Sequence, residues 1–273
     1  MDKRFLGLQA DFESKFYISM PSNKERKNKC NLESSESEKL ETVQNVPEDV
    51  EDDIETYQSE RRKARPSSLS SNIKKAKEKP THTKKGMYKG FQLIGDSQLL
   101  RFACQYLHGC RSRELGYCVS GQKIAELAER LEQKAYTISN KVIMLIGTND
   151  FTYRTPLDNM YHSYNAIVKL LKENGTNKLI LLTVPPIPKL DDSKKHWREL
   201  ETFNDYIMTL KEEGKIYVFD LATVFISYNN TSNVDCYERT YNDGRMDLVH
   251  LNRSGFKYLK FVLDSNMETH RIF

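Results

Sequence analysis

A serine, an aspartate and a histidine occur in this chain in an arrangement that suits nucleophilic catalysis. Ser97 separates a short apolar run from a helical pattern, and Asp247 and His250 lie three residues apart before the last predicted helix. Histidine is the usual general base at neutral pH, and a carboxylate can fix its tautomer and stabilise the imidazolium ion. The three residues can therefore supply the nucleophile, the base and the orienting carboxylate of acyl transfer.

An acyl-transfer site also needs donors that stabilise the negative oxygen of the tetrahedral intermediate. The sequence offers the backbone N–H groups of Ser97 and Gly121 and the side-chain amide of Asn149. Gly121 suits this role because a residue without a Cβ lets a ligand approach the backbone closely. Taken singly, each residue has a structural explanation: Ser97 can cap a helix, Gly121 can form a turn and Asn149 can cap a loop. Their joint occurrence favours catalysis.

The segments that must position these residues alternate between strand and helix patterns. Continuous apolar runs predict strands in 91–94, 115–119, 141–147, 178–188 and 216–225. Helical spacing follows each run, in 97–103, 124–131, 157–173, 194–213 and 255–264. This alternation predicts a parallel sheet of about five strands covered on both faces, a three-layer α/β domain. Ligands bind beyond the carboxyl ends of such strands, where Ser97, Gly121 and Asn149 are expected to lie.

The motifs around these residues resemble those of the SGNH/GDSL hydrolase superfamily. Its four name-giving residues match Ser97 in IGDSQ, Gly121 in VSGQ, Asn149 in IGTND and His250 in DLVH. The resemblance covers about residues 90–265. It implies a flavodoxin-like sheet, esterase, lipase or acetylhydrolase activity on a small ester, and Asp247 as the third triad member. The chain departs from the family pattern at Gln98, where the family has leucine, and carries a long polar insert at 229–241.

The chain divides by composition near residue 85. Residues 1–85 are largely polar and charged, with an acidic block at 48–55 and a basic segment from Arg61 to Lys85. Such a sequence buries too little apolar surface to offset chain entropy, so we predict a largely disordered N-terminal region before an SGNH-like domain at 86–273. The basic segment can be a solvated linker, a nuclear import signal or a nucleic-acid contact.

A non-catalytic role is the alternative, because the same superfamily includes binding domains. A terminal SGNH-like domain after a long disordered stretch is similar to RNA-binding scaffolds that act in germ-plasm or ribonucleoprotein assembly, although such scaffolds have lost the catalytic residues present here. RNA binding would rest on salt-dependent phosphate contacts. The candidate cations of the domain are Arg111, Arg113, Lys194, Lys195 and Arg198. Three aromatic side chains can stack on bases or pack in the core: Tyr153, His196 and Trp197.

The cysteine pattern and the lengths of the apolar segments bear on metal binding, disulfide formation and membrane insertion. The five cysteines are an odd number without a CxxC pair, which argues against a disulfide framework and against a zinc site. We therefore expect no metal and no cofactor. No segment approaches the ~20 apolar residues of a membrane span, and the first residues lack the apolar core of a signal peptide. These features predict a cytoplasmic protein, with nuclear import through the basic segment as an alternative.

Overall fold

A computed structural model describes residues 86–109, 111–241 and 243–272. The predicted disordered region, 1–85, lies outside the described residues, and so does the basic segment within it. Among the described residues, no helix is both long and apolar enough to cross a membrane. In the same part of the chain, no group of three or more His, Cys, Asp or Glu side chains is placed to hold a metal ion.

One mixed sheet forms the centre of the described residues. Its strands are β1 (Met87–Tyr88), β2 (Phe91–Gly95), β3 (Glu114–Leu115), β4 (Cys118–Val119), β5 (Lys141–Leu145), β6 (Lys178–Leu182) and β7 (Ile216–Phe219). The strand order is β3-β4-β2-β5-β6-β7, and β1 pairs with β2. Neighbours from β4 to β7 are parallel, whereas β1 and β3 pair antiparallel. The predicted, mostly parallel sheet is confirmed, and strand order reverses at β2.

Helices cover both faces of this sheet. They are α1 (Ser97–Arg101), α2 (Ile124–Glu132), α3 (Thr148–Thr152), α4 (Leu157–Glu173), α5 (Lys194–Thr209) and α6 (Arg253–Thr269). A π-helical turn, Phe102–Leu107, continues α1, and 3₁₀ turns lie at Pro188–Leu190, Ala222–Phe225 and Val234–Cys236. Apolar residues of α1 and α6 pack on one side of the sheet. Those of α2, α4 and α5 pack on the other, so the three-layer α/β architecture is confirmed.

The boundaries of some helices agree with those predicted from sequence periodicity, whereas others differ by several residues. The helix expected at 157–173 has the bounds of α4, because its buried positions recur at helical spacing and Gly175 follows with a φ of +86°. The helix expected at 194–213 ends earlier, at Thr209, since Glu212 already pairs with Ile216 across a turn. The closing helix is longer than the expected 255–264. It begins at Arg253 because the Asn252 side chain caps it.

The strand expected near 115–119 is wrong in detail. It is a hairpin of two short antiparallel strands, β3 and β4, because Gly116 has a φ of +61° and reverses the chain. Parallel pairing of Cys118 with Gly95 then attaches β4 to the main sheet. The turn that carries Gly121 therefore follows the second of these short strands.

Gly95, the last residue of β2, is required by the close approach of β5. An added Cβ would lie 1.9 Å from the carbonyl oxygen of Leu145. This glycine lets the two central strands end side by side, and the turns after them begin with Asp96 and with Ile146. Those turns carry Ser97 and Asn149, two of the residues expected to do chemistry.

Candidate active site

Asp247 and His250 form a directly bonded pair. Nδ1 of His250 lies 2.8 Å from Oδ1 and 2.9 Å from Oδ2 of Asp247. Burial alone would raise the pKa of Asp247, but the bonds from the imidazole and the backbone lower that pKa below its ordinary value. The carboxylate is therefore ionised at neutral pH and lies within hydrogen-bonding distance of Nδ1 of His250.

The backbone holds this pair in place. Oδ1 of Asp247 also accepts bonds from the N–H groups of Val249 and His250, each at 3.1 Å. Leu248, between Asp247 and Val249, has a φ of +50°, a left-handed conformation that lets the chain turn tightly here. The polar insert supports it from outside, because the N–H of Glu238 donates to the carbonyl of His250 at 2.8 Å. The insert is thus part of the scaffold of the Asp/His turn.

Two further side chains border the pair. A guanidinium nitrogen of Arg101 lies 3.8 Å from Oδ2 of Asp247. The ring of Tyr241 meets the imidazole of His250 edge-on, with centroids 5.8 Å apart. Burial and the charge of Asp247 raise the pKa of Tyr241, so its hydroxyl stays protonated at neutral pH. The charge of Arg101 faces the carboxylate and favours its ionised form.

Ser97 is the first residue of α1, and its hydroxyl does not cap that helix. Asp96 is the N-cap: its carboxylate accepts from the N–H of Gln98 at 2.9 Å and from the N–H of Thr148 at 3.2 Å. Only 3% of Ser97 is exposed. Among the hydrogen bonds of the described residues, none joins the Ser97 hydroxyl to His250. The structural explanation of Ser97 as a cap is therefore wrong, and no hydrogen bond among the described residues uses its hydroxyl.

The turns that carry Gly121 and Asn149 are bonded to each other and to the Ser97 turn. The Asn149 amide donates to the carbonyl of Gln122 at 3.0 Å. The Gln122 amide donates in turn to the carbonyl of Gly95 at 3.0 Å. Gly121 itself is exposed and has a φ of +79°, with open space where a Cβ would lie. The three predicted oxyanion donors thus lie on one connected set of turns, and Asn149 retains a second N–H for a ligand.

Two buried carboxyls hold these turns. Burial raises the pKa of Asp96 to about 6, against the opposing effect of the hydrogen bonds it accepts. Burial likewise raises the pKa of Asp150 to about 6, although its carboxylate accepts the N–H of Ile124 at 3.0 Å. Both groups are ionised at pH 7 and bind the orphan backbone donors at the starts of α1, α2 and α3.

The predicted RNA-binding cations lie at two separate places. All five are exposed: Arg111, Arg113, Lys194, Lys195 and Arg198. The first two precede the edge strand β3, where the carbonyl of Arg113 accepts the N–H of Ser120 beside the Gly121 turn. The other three lie at the start of α5, between β6 and β7 toward the opposite edge. Both groups therefore lie near the carboxyl ends of the strands.

The three aromatic candidates differ in exposure. His196 is buried and meets Phe151 edge-on, and burial lowers its pKa to about 4. It therefore packs in the core and cannot stack on a base. The half-buried Trp197 donates its indole N–H to the carbonyl of Asp191 at 3.1 Å. Tyr153 is 64% exposed and lies under the ammonium of Lys123, 4.6 Å away.

Sequence reasoning missed the side chains that tie the site together, which are Asp96, Gln98, Arg101, Gln122 and Tyr241. Gln98 gave a usable signal, because a polar residue stands there in place of the family's leucine and inside an apolar pattern. Its carboxamide bonds to the backbone on both sides of His250. Asp96 gave one as well, because aspartate directly before a predicted helix is a preferred N-cap. Arg101, Gln122 and Tyr241 gave none, since their contacts with Asp247, Gly95 and His250 form only in the folded chain.

The parallel sheet, the two helical layers and the connected strand-end turns define an SGNH/GDSL-like α/β domain. The OSK domain family matches residues 74–269, and the chain belongs to that family. The maternal effect protein oskar of Drosophila virilis is 24% identical over 187 residues, 65% of this chain and 31% of that protein. The chain thus spans about a third of the length of this relative.

Solved structures agree with the fold. The C-terminal domain of Drosophila Oskar is similar with a TM-score of 0.58 and 22% sequence identity, over 68% of this chain and 91% of that one. A second structure, of the OSK domain of Drosophila Oskar, has a TM-score of 0.57, 22% identity and the same coverage. At this level of identity the likeness establishes the fold alone.

Proposed function

We propose that the domain is a serine ester hydrolase that cleaves small acyl or acetyl esters. The observation that carries the proposal is the bonded pair of Asp247 and His250. A carboxylate held by two backbone N–H groups and by the imidazole is the arrangement that directs Nε2 of a histidine toward a substrate. The freedom of the Ser97 hydroxyl from capping supports the same role.

The reaction would follow acyl-transfer chemistry. The Ser97 hydroxyl attacks the carbonyl carbon of the ester while Nε2 of His250 accepts its proton. The negative oxygen then accepts bonds from the N–H groups of Ser97 and Gly121 and from the Asn149 amide. The imidazolium protonates the leaving alcohol, and water releases the acyl group from the serine as a carboxylic acid, with His250 again as the base. Because Ser97 is only 3% exposed, we expect short acyl groups.

The test is esterase turnover by the full chain. Wild type should hydrolyse p-nitrophenyl acetate and react with a fluorophosphonate probe, and Ser97→Ala should lose both. Loss of a nucleophile typically costs several orders of magnitude in kcat. Ser254→Ala is the matched control, because Ser254 also stands in the first turn of a helix capped by another residue but is exposed. Equal turnover in wild type and Ser97→Ala would refute the proposal.

RNA binding is a second candidate, supported by membership of the OSK domain family and by exposed cations. Four of the five candidates make no ion pair with any described residue, whereas Lys195 lies 3.7 Å from Glu199. Unpaired, exposed cations are available for phosphate contacts.

If the chain binds RNA, it should crosslink to single-stranded RNA, and its affinity for RNA should fall steeply as the salt concentration rises. Deleting 1–85 would separate a contribution of Arg61–Lys85 from one of the domain. No retention of RNA at ~50 mM salt would refute this candidate.

A further inference from the structure

Gln98, the residue after Ser97, bonds to the backbone on both sides of His250. Its Nε2 donates to the carbonyl of Val249 at 2.8 Å, and its Oε1 accepts the N–H of Leu251 at 3.1 Å. The side chain is fully buried. One carboxamide thus holds the two peptide groups that flank the proposed base.

This contact joins two parts of the site that the chain brings from far apart. Ser97 starts α1 directly after the central strand β2, whereas His250 lies in the turn before α6. A second side-chain contact between α1 and this turn is the ion pair of Arg101 with Asp247, at 3.8 Å. The Gln98 bonds are shorter and reach the backbone, so they connect the histidine turn directly to the first turn of α1.

The chemistry of the side chain explains why glutamine occurs here. A carboxamide donates and accepts at once, as a backbone peptide does, and therefore completes the bonding of Val249 and Leu251 as a neighbouring strand would. A leucine in this place would leave a buried carbonyl and a buried N–H without partners. A carboxylate could accept from Leu251 but, when ionised, could not donate to Val249.

We propose that Gln98 is a positioning residue that fixes the imidazole of His250 relative to the Ser97 hydroxyl. The inference rests on the proposed esterase function for its kinetic consequence. The clamp itself, defined as the two bonds from Gln98 to Val249 and Leu251, exists independently of catalysis. Small displacements of a catalytic group cost large factors in rate, about 10²-fold for 1 Å.

The test compares Gln98→Met with wild type in the full chain, and Gln133→Met serves as the matched control. Gln133 is exposed directly after α2, and its side-chain amide bonds to Glu129 and to no other described residue. In the folded Gln98→Met variant, kcat for p-nitrophenyl acetate should fall at least tenfold while KM changes less than twofold. Exchange of the Leu251 amide should accelerate strongly, and Gln133→Met should match wild type in both measurements.

Several outcomes would overturn the inference. Wild-type kcat in a folded Gln98→Met variant would show that the clamp does not position the base, and unchanged Leu251 exchange would show that the clamp does not form. If Gln98→Met does not fold, Gln98→Asn replaces it, because the shorter amide keeps both functions but cannot reach both partners. If wild type neither turns over ester nor reacts with a fluorophosphonate, the esterase proposal fails by itself. Leu251 exchange then decides whether the clamp exists.

Discussion

The carboxylate of Asp96 accepts the backbone N–H of Thr148 at 3.2 Å, across the ends of the two central strands. The same carboxylate caps α1 through the N–H of Gln98. One buried acid thus joins the turn that carries Ser97 to the turn that carries Asn149. Because Asp96 performs this structural work, Ser97 is left with a hydroxyl that stability does not require.

We expect Asp96 to contribute far more than Ser97 to the free energy of unfolding. Asp96→Ala should lower the free energy of unfolding by about 1–3 kcal/mol, since it removes a cap and leaves buried donors unpaired. Ser97→Ala should change it by less than about 0.5 kcal/mol, because no hydrogen bond of the described residues uses the hydroxyl. Urea titrations of both variants measure the difference. A comparable loss in Ser97→Ala would contradict the assignment of the cap.

The buried carboxyl of Asp150 predicts a pH dependence of stability. Its pKa is raised from 3.8 to about 6 by burial, so between those values the folded chain binds more protons than the unfolded chain. The stability contributed by this group is fully present below pH 3.8 and is lost as pH rises through 6. Asp150→Asn keeps an oxygen acceptor and removes the titration. Its free energy of unfolding, relative to wild type, should therefore rise between pH 4 and pH 7. Parallel curves would show that Asp150 does not titrate in this range.

Loss of the carboxylate at 247 should act on catalysis more than on folding. Asp247→Asn retains the shape but can stabilise the wrong tautomer of His250 and cannot stabilise its imidazolium form. We expect kcat for p-nitrophenyl acetate to fall about 10³–10⁴-fold. Asp243→Asn is the control, because Asp243 is exposed and pairs with Arg245 at 2.7 Å. An equal effect in both variants would indicate a general disturbance of the loop.

Removing the amide at 149 tests the oxyanion site. Asn149→Ala should lower kcat by about 10²–10³-fold with little change in KM, because a donor to the developing charge acts in the transition state. Asn159→Ala, on the exposed face of α4, is the matched control. A change in KM alone would place Asn149 in ground-state binding and not in the oxyanion site.

The sequence predicts where the candidate catalytic residues lie better than it predicts the hydrogen bonds that hold them in place. Ser97 and Asn149 are expected at strand ends because a short apolar run indicates β2 and a longer, continuous one identifies β5. The sequence pattern does not predict the hairpin at 114–119. Its strands have only two residues each, and the turn between them cannot be told from a continuous strand at 115–119. The clamp by Gln98 could not be derived either. Its partners lie about 150 residues away, and only the folded chain brings them together.

The exposed cations near the strand ends give a prediction for RNA. Reversing Arg111 and Arg113 should weaken single-strand binding at least tenfold at ~50 mM salt and reduce the slope of log affinity against log salt by about 1.4, since each lost phosphate contact removes about 0.7. Reversing Lys194 and Arg198 tests the second group in the same way. Filter binding over a salt series measures both quantities.

The control for this prediction must carry the same charge change at the other edge of the sheet. Lys169 and Lys211 are exposed, and they lie near the C-terminal ends of α4 and α5, which run back toward the amino ends of the strands. Reversing this pair alters the net charge by the same amount, so a loss that depends only on long-range charge would appear equally in both variants. A loss confined to the Arg111 and Arg113 variant would indicate direct phosphate contacts beside the Gly121 turn. Ser97→Ala should bind RNA as wild type does, because its buried hydroxyl cannot reach a surface phosphate. Equal weakening in the control would contradict a defined site on the domain.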